Sequence, residues 1–178
     1  GQTATVETRF RQPLSARLSD ASGTPIEGAT VTFTLPTATT DAGATFVGGS
    51  NQAIAVTNAS GEATSPPLVA NTKAGGYTAT ASVSGVAKSI NYPLRNLAAS
   101  PAKIAAGSAS GQSTPAGTRF AIPLAVTVTD ENENPVAGTQ VTFTAPGRGP
   151  SGRFGIRSTA RLASSDARQT QAGGRRIV

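Results

Sequence analysis

Residues 9–36 read RFRQPLSARLSDASGTPIEGATVTFTLP, and residues 119–146 read RFAIPLAVTVTDENENPVAGTQVTFTAP. The two stretches align without a gap at an offset of 110, and 12 of the 28 positions are identical. Gly1-Gln2 matches Gly111-Gln112 upstream. All six Phe of the chain fall in the repeat: Phe10 with Phe120, Phe33 with Phe143, and Phe46 with Phe154 after a slip of two residues. Chance does not place every Phe of a chain in corresponding positions, and self-similarity at a fixed offset is the signature of a tandem array. The chain reads as two copies of one module, the second cut short.

Each copy has the pattern of β structure. Leu14, Ala16 and Leu18 alternate with Ser15, Arg17 and Ser19, and Leu124, Val126 and Val128 alternate with Ala125, Thr127 and Thr129. Val31, Phe33 and Leu35 alternate with Thr30, Thr32 and Thr34. Period-two alternation marks a strand with one face buried. Asp20 to Pro25 reads DASGTP and is a turn, with Asp, Gly and Pro in turn-forming roles. Ile54 and Val56 precede a second hairpin signal, Asn58-Ala59-Ser60-Gly61. Tyr77, Ala79, Ala81 and Val83 predict a strand that Ser84-Gly85 turns into another over Ala87 to Leu94. Seven or eight short strands in about 95 residues is the pattern of an immunoglobulin-like β-sandwich. Tyr77 stands where such folds place a corner tyrosine; it also fits as a plain core aromatic.

Composition narrows the chemistry. The 178 residues include 20 Gly and 12 Pro, but no Cys, His, Met or Trp. Without Cys there is no disulfide, thiol nucleophile or thiolate metal site. Without His there is no Ser-His-Asp triad, and the commonest general base is missing. No run of 18 apolar residues occurs, so no transmembrane helix is encoded. No basic-then-apolar leader opens the sequence, so we expect mature protein or an internal fragment. The carboxylates Glu7, Asp20, Glu27, Asp41 and Glu62 are scattered among turns, and no motif supports catalysis.

Three further stretches carry a resemblance. VTVTDENENPVAGTQVTFTAP, Thr57 to Pro66 (TNASGEATSP) and Ala74 to Gly85 (AGGYTATASVSG) resemble, taken together, the bacterial immunoglobulin-like repeats of the invasin and intimin type. The resemblance covers residues 1–97 almost fully and 108 to about 156 in part. It implies a module of a bacterial cell-surface protein, stacked between an outer-membrane anchor and an adhesive tip. The partners it implies are host or neighbouring cell-surface molecules, reached through the parent protein. It brings no catalytic residues and no enzyme activity.

The expected organisation is therefore all-β: a complete immunoglobulin-like sandwich over 1–97, a linker over 98–110, a partial second module over 111–157 and an Arg-rich, disordered basic tail over 158–178. The second copy has no counterpart of the Tyr77–Val83 and Ser89–Leu94 strands. A sandwich missing strands has open edges, which makes self-association through the second module an expectation. Charge changes at the same place. Residues 147–178 hold seven Arg and one Asp, whereas residues 1–146 hold eight basic and eight acidic residues. A tail that departs so far from the repeat is also compatible with degenerate or out-of-frame coding sequence, which the gene's other reading frames would decide.

Two sets of candidate site residues follow. Asp130, Glu131, Asn132 and Glu133 form the densest oxygen cluster, and calcium takes six to eight oxygen ligands. The run is also similar to the Asp-x-Asn-Asp-Asn linker motif of cadherins. The same residues serve equally as a plain turn, and the first copy has a single carboxylate there. No other cofactor is expected. Arg148, Arg153, Arg157, Arg161, Arg168, Arg175 and Arg176 form a candidate polyanion-binding set; without interleaved aromatics beyond Phe154 they do not suit stacking on single-stranded bases. Gly107 to Thr114 is Gly- and Ser-rich but lacks the Lys of a phosphate-binding loop. Asn58-Ala59-Ser60 matches a glycosylation sequon and equally a hairpin tip.

Overall fold

The computed structural model describes residues 1–107 and 109–154, together with the backbone of 159–161. The chain divides into two compact units, Gly1–Ala98 (unit 1) and Ala99–Val178 (unit 2).

Unit 1 holds nine strands: β1 (Gln2–Thr5), β2 (Ser15–Arg17), β3 (Thr30–Thr34), β4 (Ala44–Phe46), β5 (Gln52–Val56), β6 (Glu62–Thr64), β7 (Leu68–Ala70), β8 (Gly75–Val83) and β9 (Ile90–Leu97). Five of them form one sheet in the order β1-β9-β8-β3-β5. Its pairs are antiparallel except β1 with β9, which run parallel from Gln2↔Leu94 to Thr5↔Leu97. The ladders β2–β6 and β4–β7, with the bridge Arg9↔Val69, make the facing layer. The last strand starts at Ile90, three residues later than its sequence pattern predicts, and ends at Leu97.

The alternation read from sequence has its physical cause in this packing. Val31, Phe33 and Leu35 are buried while the Thr residues between them reach towards solvent. Phe33 and Phe46 are fully enclosed, with Phe10, Leu14, Leu68 and Leu94 around them. Ala79 and Ala81 on β8 are equally buried, and Ala81 lies in register with Phe33. Small residues beside a Phe leave room for its ring, so volume is conserved across the layer. Tyr77 packs against this core from a half-buried position.

Unit 2 contains β10 (Lys103–Ala106), β11 (Val126–Thr129), β12 (Gln140–Thr142) and β13 (Thr159–Arg161). β10 pairs antiparallel with β11, and β12 with β13. The segment expected as a linker over 98–110 thus carries a strand. Its side chains are exposed, so no alternation of burial announced it in the sequence. Backbone bonds hold it: Ala102 N–H donates to Thr129 O and Gly107 N–H to Ala125 O. Val128 and Val141 are buried, with Val126, Val136 and Phe143 packed beside them. The rings of Phe143 and Phe154 meet at 6.1 Å and 51°. Among the described residues no helix is long and apolar enough to cross a membrane.

The repeat is visible bond by bond. The bridge Ser19↔Pro25 recurs as Thr129↔Pro135. Ile26 N–H donates to Leu18 O, and Val136 N–H donates to Val128 O. The Gln2 side-chain oxygen accepts from Gln12 N–H, and Gln112 accepts in the same way from Ile122 N–H. One backbone position shows how the copies diverged. The left-handed residue of the Asp turn is Gly23 (φ 88) in unit 1 and Glu133 (φ 67) in unit 2. Only glycine adopts that conformation without steric penalty.

Candidate functional site

The Asp turn is the densest polar feature that sequence pointed to, and it occurs twice. In unit 1 one oxygen of Asp20 accepts from Ser22 N–H at 2.9 Å, Ser22 Oγ–H at 2.7 Å and Thr24 N–H at 2.9 Å. In unit 2 Asp130 Oδ1 accepts from Asn132 N–H at 3.0 Å, Asn134 N–H at 2.8 Å and Asn134 Nδ2 at 3.2 Å. Asp130 Oδ2 accepts from Asn134 Nδ2 and from Ala99 N–H, each at 2.9 Å. A short acceptor two and four residues before backbone donors makes a turn of the Asx kind. Asn58 does the same in the β5–β6 hairpin, accepting from Ser60 and Glu62 N–H, so the sequon asparagine is the tip of its own turn.

The two carboxylates sit in different surroundings. Asp20 is exposed, and Asp130 is 0% exposed. The Ser22 hydroxyl and then Thr24 N–H hold the Asp20 carboxyl below its ordinary value. Burial pushes Asp130 up, but the donors from Asn134, Ala99 and Asn132 outweigh it and hold the group below its ordinary value as well.

The four residues proposed as calcium ligands are not gathered into a cage. Both oxygens of Asp130 point at N–H donors, whereas a cation site presents oxygens to a shared empty centre. Glu131 and Glu133 are exposed, and Glu133 lies 3.8 Å from the Lys103 ammonium. Among the described residues no group of three or more acidic, His or Cys side chains is placed to hold a metal ion.

Of the seven arginines, Arg148 and Arg153 are exposed. Arg161 belongs to β13, and Arg157, Arg168, Arg175 and Arg176 lie outside the described residues, as does Ser108 of the Gly/Ser-rich stretch.

One polar cluster was not foreseen. Asn96 on β9 is almost fully buried. Its Nδ2 donates to Gly43 O at 2.8 Å, Asn71 Oδ1 at 3.0 Å and Lys73 O at 3.0 Å. Its Oδ1 accepts from the Tyr77 hydroxyl at 3.1 Å. Asn71 also accepts from Gly43 and Lys73 N–H and donates to Asp41 O. Tyr77 is thus a core aromatic whose hydroxyl meets a side chain on the next strand, not the backbone group a corner tyrosine uses. Burial pushes its phenol well above the ordinary range, so it stays a neutral donor. The cluster ties the β4 approach, the β7–β8 connection and β9 together. Each amide group in it is matched to a partner, the condition under which buried polar groups rigidify a fold. No spacing signal in the sequence marks it: Asn71 precedes β8 and Asn96 lies within β9, and they meet only once those strands pair.

No protein-family model matches the chain. Over 131 residues, 73% of its length, it is 33% identical to the inverse autotransporter adhesin YeeJ of Escherichia coli strain K12. The chain spans 5% of that relative's length. Among solved structures it is similar to invasin, a bacterial integrin-binding protein, with a TM-score of 0.44 and 20% identity over 93% of this chain and 32% of that one. It is also similar to the D0-D1 domain of intimin, with a TM-score of 0.39 and 22% identity over 90% of this chain and 74% of that one.

Proposed function

The chain carries immunoglobulin-like adhesin repeats of the invasin and intimin type, and from this premise we propose that it is a non-catalytic module of a bacterial cell-surface adhesin. Within the parent protein, unit 1 acts as a rigid spacer that holds a contact-making end away from the cell. The observation that carries this reading is the use made of the buried polar groups. Among the described residues, no buried side-chain nitrogen or oxygen lacks a hydrogen-bond partner. Asp130, Asn134, Asn96, Thr57 and Ser65, the buried polar residues, are all engaged in holding backbone or one another. Such groups brace a structure; catalysis needs groups held ready for a substrate. In a quasi-one-dimensional array, stiffness of this kind within each repeat is what transmits reach. The parent's partners are host or neighbouring cell-surface molecules. The test is to delete residues 1–98 from the parent protein and measure its projection by electron microscopy. The spacer role predicts a shorter projection with unchanged affinity at the adhesive end; an unchanged length contradicts it.

A second reading concerns residues 147–178, whose seven Arg, set against one Asp, carry the whole net charge of +6. They form a contact for anionic polymers, with affinity that falls as salt displaces the released counterions. Retention of the whole chain on heparin, lost on removing 147–178, tests it. Retention that survives the removal contradicts it.

A further inference from the structure

We propose that the β5 edge of unit 1 is a homophilic docking strand, on which a second copy of this chain adds its own β5 antiparallel about a two-fold axis at Ala55. β5 is the last strand of the five-stranded sheet, so one side of its backbone faces outward. Which residues face outward follows from the register. Leu35 N–H donates to Asn51 O and Thr57 N–H to Ala29 O, so the odd-numbered residues of β5 bond to β3. The N–H and C=O groups of Gln52, Ile54 and Val56 therefore point away from the sheet. Gln52 is already served, because Ser50 Oγ accepts from its N–H at 3.0 Å and donates to its carbonyl at 2.7 Å. Ile54 and Val56 remain.

This edge lacks the usual protection. Native edge strands carry charge, proline or a bulge that stops another strand from adding. Residues 42–61 contain no charged residue and no proline. The side chains of Ile54 and Val56 are 68% and 60% exposed, and they share the outer face with the threonines of β3.

The edge is its own complement in one register only. With the axis at Ala55, Ile54 of one copy opposes Val56 of the other, and the reverse. Each is a hydrogen-bonded pair that exchanges two N–H···O bonds, so the outward groups of both residues in both copies are satisfied. Each pair also sets two exposed β-branched side chains against each other. An axis at Ile54 would oppose Val56 to Gln52, whose groups Ser50 holds. An axis at Val56 would oppose Ile54 to Asn58, whose N–H donates to Glu62 O. With no charge on the strand there is neither repulsion between copies nor a field to recruit an ionic partner. The contact is small, so its dissociation constant lies at about 0.1–1 mM. The inference rests on unit 1 alone and does not depend on the adhesin role.

The test is sedimentation equilibrium of the full chain from about 10 µM to about 1 mM, with amide exchange followed by NMR at both limits. We expect the weight-average mass to climb towards twice the monomer, and the amides of Ile54 and Val56 to exchange several-fold more slowly at the high limit. Ile54→Pro removes an N–H that β3 does not use, as an edge position allows. Ile54→Lys leaves the backbone whole and adds a charge. Both variants should stay monomeric, and Thr78→Lys, on the same sheet face but two strands away, should associate like the parent. A constant mass overturns the proposal. So does association that survives both Ile54 variants, or that Thr78→Lys abolishes.

Discussion

The two units run the same local sequence through different surroundings. Phe10 is 5% exposed and Leu14 1%. Their counterparts Phe120 and Leu124 are 43% and 40% exposed. The turns, the Gln brace and the Asp-centred bonds recur in both units, because each is made by residues close in sequence. Val31 and Val141 are both buried, but the burial of Phe10 and Leu14 does not recur, because it depends on strands far along the chain. Phe10 N–H donates to Leu68 O, Leu14 N–H to Ser65 Oγ, and β2 pairs with β6. The strand equivalent to β2, β11, pairs instead with β10. Local chemistry therefore reproduces itself from the repeat alone, and the core needs the whole module.

That contrast is open to attack at its strongest point. Phe33 is fully enclosed and Phe143 is half-buried. Phe33→Ala should lower the stability of unit 1 by about 3–5 kcal/mol, and Phe143→Ala should lower that of unit 2 by about 1 kcal/mol. Thermal melts followed by NMR signals from each unit would read both. Equal losses would mean that unit 2 has a core of the same quality.

The Asp turns should differ next. Asp130→Ala strands several buried donors at once and should destabilise unit 2 by about 2 kcal/mol. Asp20→Ala, at an exposed turn, should do visibly less in unit 1. Denaturant unfolding of the two variants compares them. Acid gives the same information without mutation. Both carboxyls are held below their ordinary values, so each contributes stability that is fully present above about pH 4 and is lost as pH falls through the lower folded value. A melt that sharpened in stability on acidification would contradict the assignment.

The smallest effects concern Glu133. Replacing it by Gly, as at Gly23, relieves a left-handed non-glycine residue and should stabilise unit 2 by about 0.5–1 kcal/mol. Its exposed pairing with Lys103 gives up little in exchange. Calcium should leave the melting temperature of the parent chain unchanged. A calcium ligand at Glu133 predicts the opposite in both experiments: stabilisation by the ion, and its loss in the Gly variant.

How much was legible in the sequence follows the same division. The strands around Ala16, Phe33 and Ala79 announced themselves by alternation, since one face of each is buried. The Asp and Asn turns announced themselves by spacing. β10 could not, because its four side chains are all exposed and only its backbone is engaged. The Asn71–Asn96 cluster was equally silent, as its partners are 25 residues apart and meet only after β8 and β9 have paired. The oxygen count of Asp130 to Glu133 is compatible with calcium and with a plain turn alike. The oxygens of Asp130 had partners in Asn134 and Ala99 that spacing alone did not reveal.

A self-sufficient unit 1 beside a unit 2 held by fewer long-range contacts should show as a difference in resistance to protease. Limited trypsin digestion followed by intact mass tests it directly. Unit 1 contains Arg9, Arg11, Arg17, Lys73, Lys88 and Arg95, and the fully described part of unit 2 offers Lys103, Arg119, Arg148 and Arg153. Early cuts are expected at Arg119, Arg148 and Arg153, then a lasting fragment that ends at Lys103 and keeps every site of unit 1 intact. Cleavage at Arg17 or Lys73 before Arg119 would contradict the self-sufficiency of unit 1.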